Sequence, residues 1–134
     1  MNFCYKKIVN TPHFKVAIIE DEPSILEMYR LKLENSGYSV KTATNGKDGL
    51  TLIKQFDPDI VLLDLKMPYV SGEEMLSSLR SEPWGSNVHV IILTNVSKDE
   101  APNALRFLHV DRYIVKAHHT PAQVAEIVKE VLAH

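Results

Sequence analysis

The chain has 134 residues and a formal net charge of −2, and 45% of its residues are hydrophobic and 24% charged. This length suits one soluble globular domain and is too short for two of ordinary size. The near-neutral charge disfavours direct binding of nucleic acid, because proteins that bind phosphate backbones carry a basic excess.

Cysteine content and hydropathy indicate where such a protein works. Cys4 is the only cysteine, so an intrachain disulfide is impossible, and a reducing, cytoplasmic location is predicted. No apolar run approaches the roughly 18 residues of a membrane span, so we predict no membrane association. Residues 1–14 precede the first clear strand pattern and are predicted to be an N-terminal extension of one domain over residues 15–134.

Short β-branched runs alternate with longer segments of helical period from residue 16 onward. This alternation predicts an α/β fold: a doubly wound, five-stranded parallel sheet with helices on both faces, in a (βα)5 arrangement. Several strand patterns are nearly continuous apolar runs, which is typical of strands buried in the centre of a sheet. The five predicted strands cover residues 16–19, 38–43, 60–63, 88–93 and 112–115.

Local signals mark the ends of the predicted helices. Pro23 suits the first turn of a helix that ends before Gly37. Ile25, Met28, Tyr29 and Leu33 are predicted to lie on or near its apolar stripe. A second helix is predicted to begin at Asn45-Gly46 and to end near Phe56. Capping boxes, in which a hydroxyl and an acid or amide three residues later satisfy free N–H groups, predict three more helices, at Ser71-x-x-Glu74, Ser97-x-x-Glu100 and Thr120-x-x-Gln123.

Polar and charged residues follow four of the five predicted strands. Ligands of open parallel sheets bind at the carboxyl ends of the strands, so these residues are candidates for a site. In a sheet of order 2-1-3-4-5, strand one lies beside strand three, which would bring three carboxylates into one pocket with a hydroxyl and an ammonium beside them. The five residues are Glu20, Asp21, Asp64, Thr94 and Lys116.

Three carboxylates this close repel each other by about 1 kcal/mol per pair at 4 Å in water, and by about 4 kcal/mol at an effective dielectric constant of about 20. A divalent cation removes this conflict, and oxygen ligands without cysteine or histidine favour Mg²⁺ or Mn²⁺. Mg²⁺ commonly combines one or two carboxylates with phosphate oxygens. The cluster therefore predicts a site that receives a phosphoryl group.

These residues lie in motifs that resemble the receiver domains of two-component response regulators, whose fold is similar to that of flavodoxin. Each motif is weak alone, but together they occur in order at the ends of successive strands, and the resemblance covers about residues 15–132. The motifs are Glu20-Asp21 after VAII, Asp64 in IVLLDLKMP, Met67-Pro68-x-x-x-Gly72, Thr94 in VIILT and Lys116 in RYIVK.

The resemblance implies a phosphorelay protein in which Asp64 takes a phosphoryl group from a histidine kinase or a phosphotransfer protein. Such a protein is a signalling module, and its only chemistry is its own phosphorylation and dephosphorylation. The implied metal ligands are Glu20, Asp21, Asp64 and the backbone carbonyl of Lys66. Lys116 and Thr94 would contact the phosphoryl group, and Thr94 and Tyr113 would form the switch.

Two positions depart from the pattern of the family. Ala117 follows Lys116 where a proline in a cis peptide is usual, which leaves the geometry of this loop open. Asn95 follows Thr94 where Ala or Gly is usual. Together with Lys66, Asn95 is predicted to border the phosphoryl group and to tune its lifetime, because a bulky polar side chain at the entrance would obstruct an attacking water.

Three alternatives carry different functions. A degenerate receiver would act as a binding platform that needs no phosphorylation, an idea motivated by Asn95 and Ala117. A small aspartyl-phosphate phosphatase of the haloacid dehalogenase type would need a second acid two residues after Asp64, where this chain has Lys66. A flavodoxin that binds FMN would need a hydroxyl-rich loop after strand one, where this chain has three acids.

The resemblance also predicts the surface through which a signal leaves. In receivers this surface is usually formed by the fourth helix, the fifth strand and the fifth helix, here about residues 98–108, 112–115 and 120–132. The fifth predicted helix nearly reaches the end of the sequence, and the charge is near neutral. We therefore expect the output to be a downstream protein or a second copy of the chain in a homodimer, and not DNA.

Overall fold

Five parallel strands form one sheet in the order β2-β1-β3-β4-β5 in the computed structural model, which describes residues 13–133. The α/β class and the predicted order of the sheet are confirmed. Most of the predicted extension, residues 1–14, lies outside the described residues, as does Cys4. The strands are β1 (Lys15–Ile19), β2 (Ser39–Ala43), β3 (Ile60–Leu63), β4 (His89–Thr94) and β5 (Arg112–Val115).

The helices of residues 13–133 begin and end close to the positions that the local signals predict. Pro23 occupies the first turn of its helix, and Gly37, just beyond the helix end, has a φ of 98° that glycine tolerates best. The α-helices are α1 (Pro23–Asn35), α2 (Gly46–Phe56), α3 (Gly72–Arg80) and α4 (Pro121–Leu132).

Alternate residues of each strand face opposite sides of the sheet, so two apolar layers form. One layer contains Val16 and Ile18 of β1 and is covered by α1 and α4. The other contains Ala17 and Ile19 and is covered by α2 and α3. The central strands β3 and β4 are buried on both sides, because their sequences IVLL and HVIILT place apolar side chains in both layers.

The apolar stripe of α1 differs from its prediction at Met28 and at Leu26. Tyr29 and Leu33 are buried as expected, but Met28 is 42% exposed, and Leu26 is buried in the core. Leu26, Tyr29 and Leu33 follow a spacing of three and four residues, which places them on one face of the helix. Met28 lies outside that spacing, so its assignment to the stripe was wrong.

The fourth predicted helix, over residues 98–108, is absent. The structure has two short 3₁₀ segments there, Lys98–Glu100 and Asn103–Phe107. Pro102 explains the difference, because a residue that precedes proline is kept out of the α conformation. Ala101 is extended, with φ −67° and ψ 145°. Residues 97–108, which contain both 3₁₀ turns, are called the 97–108 segment. The predicted output face therefore has this segment where an α-helix was expected.

The loop after β5 forms a short 3₁₀ turn, Lys116–His118. Every peptide bond of residues 13–133 is trans. Within these residues, no helix is both long enough and apolar enough to cross a membrane.

Candidate functional site

Two buried carboxylates stand side by side where β1 and β3 end. In the register of these strands Ile19 is opposite Leu63, and the Asp64 N–H donates to the Ile19 carbonyl at 3.1 Å. The next residue of each chain segment is an acid, Glu20 and Asp64, and these are only 3% and 7% exposed. Apolar strands thus carry two charged groups into the same end of the sheet.

Asp21 completes a group of three carboxylates with Glu20 and Asp64. One oxygen atom from each residue lies within 4.8 Å of the other two. Glu20 also accepts a hydrogen bond from the Glu22 N–H at 3.0 Å, which orients its carboxylate at the start of α1. Three hard oxygen ligands at this spacing fit Mg²⁺ or Mn²⁺ in charge and in donor type.

Lys116 extends from the end of β5 to the same carboxylates. Its Nζ forms an ion pair with Glu20 Oε1 and lies 3.3 Å from Asp64 Oδ2. Burial alone would lower the pKa of Lys116, but hydrogen bonds and charges from Glu20 and Asp64 outweigh it, so the pKa is raised and the lysine stays protonated. Burial raises the pKa of Glu20 despite the bond from Lys116. Glu20 and Asp64 thus share the ammonium of Lys116.

The backbone beside Asp64 requires glycine at position 72. A Cβ added to Gly72 would lie 2.0 Å from the Asp64 carbonyl oxygen, so any side chain would displace the Asp64 backbone. The Gly72 N–H donates to the Leu65 carbonyl at 2.9 Å. The predicted capping box of Ser71 and Glu74 is present and starts α3 at this point. The spacing of the Met67-Pro68-x-x-x-Gly72 motif therefore holds α3 against the end of β3.

Thr94 and Tyr113 meet at a shared neighbour. Thr94 is 1% exposed, and its Oγ1 accepts a hydrogen bond from the Val96 N–H at 3.3 Å. The Tyr113 hydroxyl donates to the Val96 carbonyl at 2.7 Å. The two predicted switch residues are thus linked through the backbone of Val96, which immediately precedes the 97–108 segment.

An open cavity of 540 Å³ lies over the Asp64 carboxylate. Both predicted tuning residues, Lys66 and Asn95, line it, and their side chains are exposed. The Lys66 N–H lies 3.4 Å from Asp64 Oδ1; the role of the Lys66 carbonyl as a metal ligand stays a prediction. The full lining is Asp64, Lys66, Thr94, Asn95, Val96, Glu100 and Lys116.

Sequence reasoning missed Val96 and Glu100 in this lining. It assigned Glu100 to a capping box with Ser97, and that box is not formed: the Ser97 side chain makes no cap hydrogen bond to the backbone. The remaining contact is from Ser97 Oγ to Glu100 Oε1 at 3.3 Å. Pro102 was the available signal, because a proline inside the predicted helix argues against a regular cap at Ser97.

Residues 16–129 match the family described as the response regulator receiver domain. The phosphate regulon transcriptional regulatory protein PhoB of Rhizobium meliloti is 32% identical over 115 residues, which are 84% of this chain and 50% of PhoB. The DNA-binding dual master transcriptional regulator RpaA of Synechocystis is 30% identical over 119 residues, 89% of this chain and 48% of RpaA. The chain spans about half the length of these curated relatives.

Solved structures are similar in fold over nearly the whole chain. A CheY-like response regulator receiver domain protein from Methanospirillum hungatei superposes with a TM-score of 0.81 at 27% identity, covering 91% of this chain and 95% of that one. For the chemotaxis protein CheY4 of Vibrio cholerae the TM-score is 0.83 at 23% identity, covering 90% and 99% of the two chains, and this likeness concerns the fold. The extent of the family match shows that this chain belongs to the response regulator receiver domain family of two-component signalling systems.

Proposed function

We propose that this domain is a phosphoaccepting receiver, in which Asp64 takes a phosphoryl group from a histidine kinase or a phosphotransfer protein. The observation that carries the proposal is the surroundings of the Asp64 carboxylate: it lies within 4.8 Å of oxygen atoms of Glu20 and Asp21, and the Lys116 ammonium is 3.3 Å from its Oδ2. The carboxylate is nearly buried but faces an open cavity. It is held beside a cation and is accessible, as a nucleophile needs to be.

In the transfer step, a carboxylate oxygen of Asp64 attacks the phosphorus in line with the bond to the donor. A new O–P bond forms while the bond to the donor breaks, and its electron pair leaves with the histidine nitrogen or, for acetyl phosphate, with the acetate oxygen. Glu20, Asp21 and Asp64 would hold Mg²⁺, which when bound supplies positive charge to the phosphoryl oxygens. Asp64 is thereby both the acceptor and a ligand.

Lys116 and Thr94 supply the remaining contacts. The Lys116 ammonium already faces Asp64, so it can neutralise charge that develops on the phosphoryl oxygens. The Thr94 hydroxyl accepts a bond from the Val96 N–H, which leaves its own hydrogen free to donate to a phosphoryl oxygen. A shift of Thr94 toward the phosphoryl group would pull on Val96, and so on the hydrogen bond from Tyr113 to the Val96 carbonyl.

The change would then reach the predicted output face. Tyr113 is on β5, and Val96 leads into the 97–108 segment, so loosening of their bond alters two parts of this face. A downstream protein or a second copy of the chain that prefers one of the two arrangements would shift the population between them. The difference between the partner's affinities for the two arrangements would transmit the signal.

Mass spectrometry after incubation with Mg²⁺ and acetyl phosphate tests the proposal. We expect one phosphoryl group on the wild type, none on the wild type when the metal is chelated before the donor is added, and none on Asp64→Asn. Asp57→Asn is a matched control, because Asp57 is exposed and has a φ of 52° that asparagine tolerates. It should be labelled like the wild type.

Other outcomes would contradict the proposal. Equal labelling of Asp64→Asn would place the phosphoryl group elsewhere. No labelling of the wild type by acetyl phosphate or by a histidine kinase would favour a binding platform that needs no phosphorylation. Steady turnover of the donor without a labelled protein would favour a phosphatase.

A further inference from the structure

Glu100 is a carboxylate of the Asp64 cavity that neither the metal cluster nor the family motifs account for. It lines the cavity together with Asp64, Lys66 and Lys116. Its Oε1 accepts a hydrogen bond from Ser97 Oγ at 3.3 Å, and its N–H donates to the Ser97 carbonyl at 3.0 Å. These two bonds keep the Glu100 side chain in the turn beside the cavity.

The charge of Glu100 is not balanced by the buried lysine. Lys116 is already paired with Glu20 and Asp64. Lys66 and Glu100 are both exposed, so water weakens the effect of each charge in the cavity without removing it. The pKa of Tyr113 is raised, first by burial and then by the charges of Asp64 and Glu100. The field of Glu100 thus extends over the same region as that of the acceptor carboxylate.

We infer that Glu100 determines which phosphodonors reach Asp64, because its carboxylate repels the more negatively charged ones at the cavity. This inference rests on the proposed phosphoacceptor function. A phosphodonor that enters the cavity brings its own negative charge toward Glu100, and like charges repel. Because Glu100 is exposed, water reduces this repulsion to a modest size. The repulsion grows with the charge of the donor, so it discriminates between donors of similar size.

Initial rates of phosphorylation with two small donors test this inference in the full chain at saturating Mg²⁺. Acetyl phosphate is more negatively charged at neutral pH than phosphoramidate. We expect Glu100→Gln to accelerate labelling by acetyl phosphate roughly two- to tenfold, and labelling by phosphoramidate by a smaller factor. Higher ionic strength should bring the ratio of variant to wild-type rates toward one.

Asp99→Asn is the matched control. It removes the same charge from the neighbouring residue, but Asp99 lines a different groove and not the Asp64 cavity. Its rates should stay close to those of the wild type. An equal acceleration in Asp99→Asn would mean that net charge alone matters, and it would overturn the inference.

The affinity for Mg²⁺ is a second measurement, and we expect it to fall where the labelling rate rises. Because Glu100→Gln loses a nearby negative charge, it should bind Mg²⁺ more weakly than the wild type in an NMR titration. The same variant should be labelled faster by acetyl phosphate. If both binding and rate fall, the substitution has only disturbed the site, and the inference is wrong. If the wild type is labelled but Glu100→Gln is no faster, only this inference fails; if the wild type takes up no phosphoryl group, the proposed function fails with it.

Discussion

The two segments that flank β5 begin with the same sequence motif and fold differently. Thr120-x-x-Gln123 forms both hydrogen bonds of a capping box and starts the regular helix α4. Ser97-x-x-Glu100 forms neither backbone cap, and the 97–108 segment consists of two 3₁₀ turns. A capping motif is therefore not sufficient to start an α-helix.

The position of proline and the apolar spacing explain the difference. Pro121 is the first residue of α4, where its missing N–H costs nothing, whereas Pro102 lies inside the predicted helix. α4 buries Val124, Val128 and Val131, but the 97–108 segment buries only Leu105. The 97–108 segment, which borders the Asp64 cavity, is thus the less firmly held of the two flanks.

The largest expected effect is at the far end of the 97–108 segment, where Arg80 anchors it. The Arg80 guanidinium donates to the carbonyls of Leu108 and His109, each at 2.8 Å, and also to those of Gly85 and Val88. Arg80→Met leaves these acceptors without a charged donor, so we expect the free energy of unfolding to fall by about 3 kcal/mol.

Urea unfolding measures this change. Arg30→Met is the control, because Arg30 only forms ion pairs with two exposed glutamates along α1, and such pairs contribute less than about 1 kcal/mol. Equal losses in the two variants would mean that Arg80 does not anchor the segment.

The next effect compares buried side chains with exposed ones on the two flanks. Val128 of α4 is fully buried, and Val128→Ala removes two methyl groups at roughly 0.8 kcal/mol each and leaves a small cavity, so we expect a loss of about 2 kcal/mol. Phe107 in the 97–108 segment is 78% exposed, so Phe107→Ala should stay within about 0.5 kcal/mol. Thermal unfolding of both variants compares the two losses of stability. A larger loss for Phe107→Ala than for Val128→Ala would contradict the prediction.

The capping motifs themselves predict a smaller difference. Thr120→Ala removes an acceptor for the Gln123 N–H at 3.1 Å and should cost about 1 kcal/mol. Ser97→Ala removes only a side-chain contact in an exposed turn, so it should cost less than about 0.5 kcal/mol. Similar losses in chemical denaturation would show that Ser97 caps the segment in solution.

The smallest effect is expected when proline is removed from the 97–108 segment. Pro102→Ala frees Ala101 to adopt the α conformation, so we expect a slight gain of helical circular dichroism and a change of stability within about 1 kcal/mol. Pro121→Ala is the control and should add no helix, because Pro121 is already helical. Unchanged spectra for Pro102→Ala would mean that weak apolar packing, and not proline, prevents the helix.

Elements that rest on local signals could be predicted from the amino-acid sequence. The apolar runs of β1 and β3 and the acids that follow them place Glu20 and Asp64 at the same end of a parallel sheet. Pro23, Ser71 and Thr120 mark helix starts at the observed positions. These predictions succeeded because strand burial and helix capping depend on neighbouring residues, which a single sequence contains.

Features that depend on competing local signals or on contacts between distant residues required the folded structure. At residues 97–108 a capping motif competed with Pro102, and too little apolar surface was available to stabilise a helix. The contact of Lys116 with Glu20 joins residues 96 positions apart, and its geometry depends on the twist and register of the whole sheet. The place of Glu100 in the cavity follows from the turn that replaces the helix, because a side chain's direction is set by the backbone conformation that packing selects.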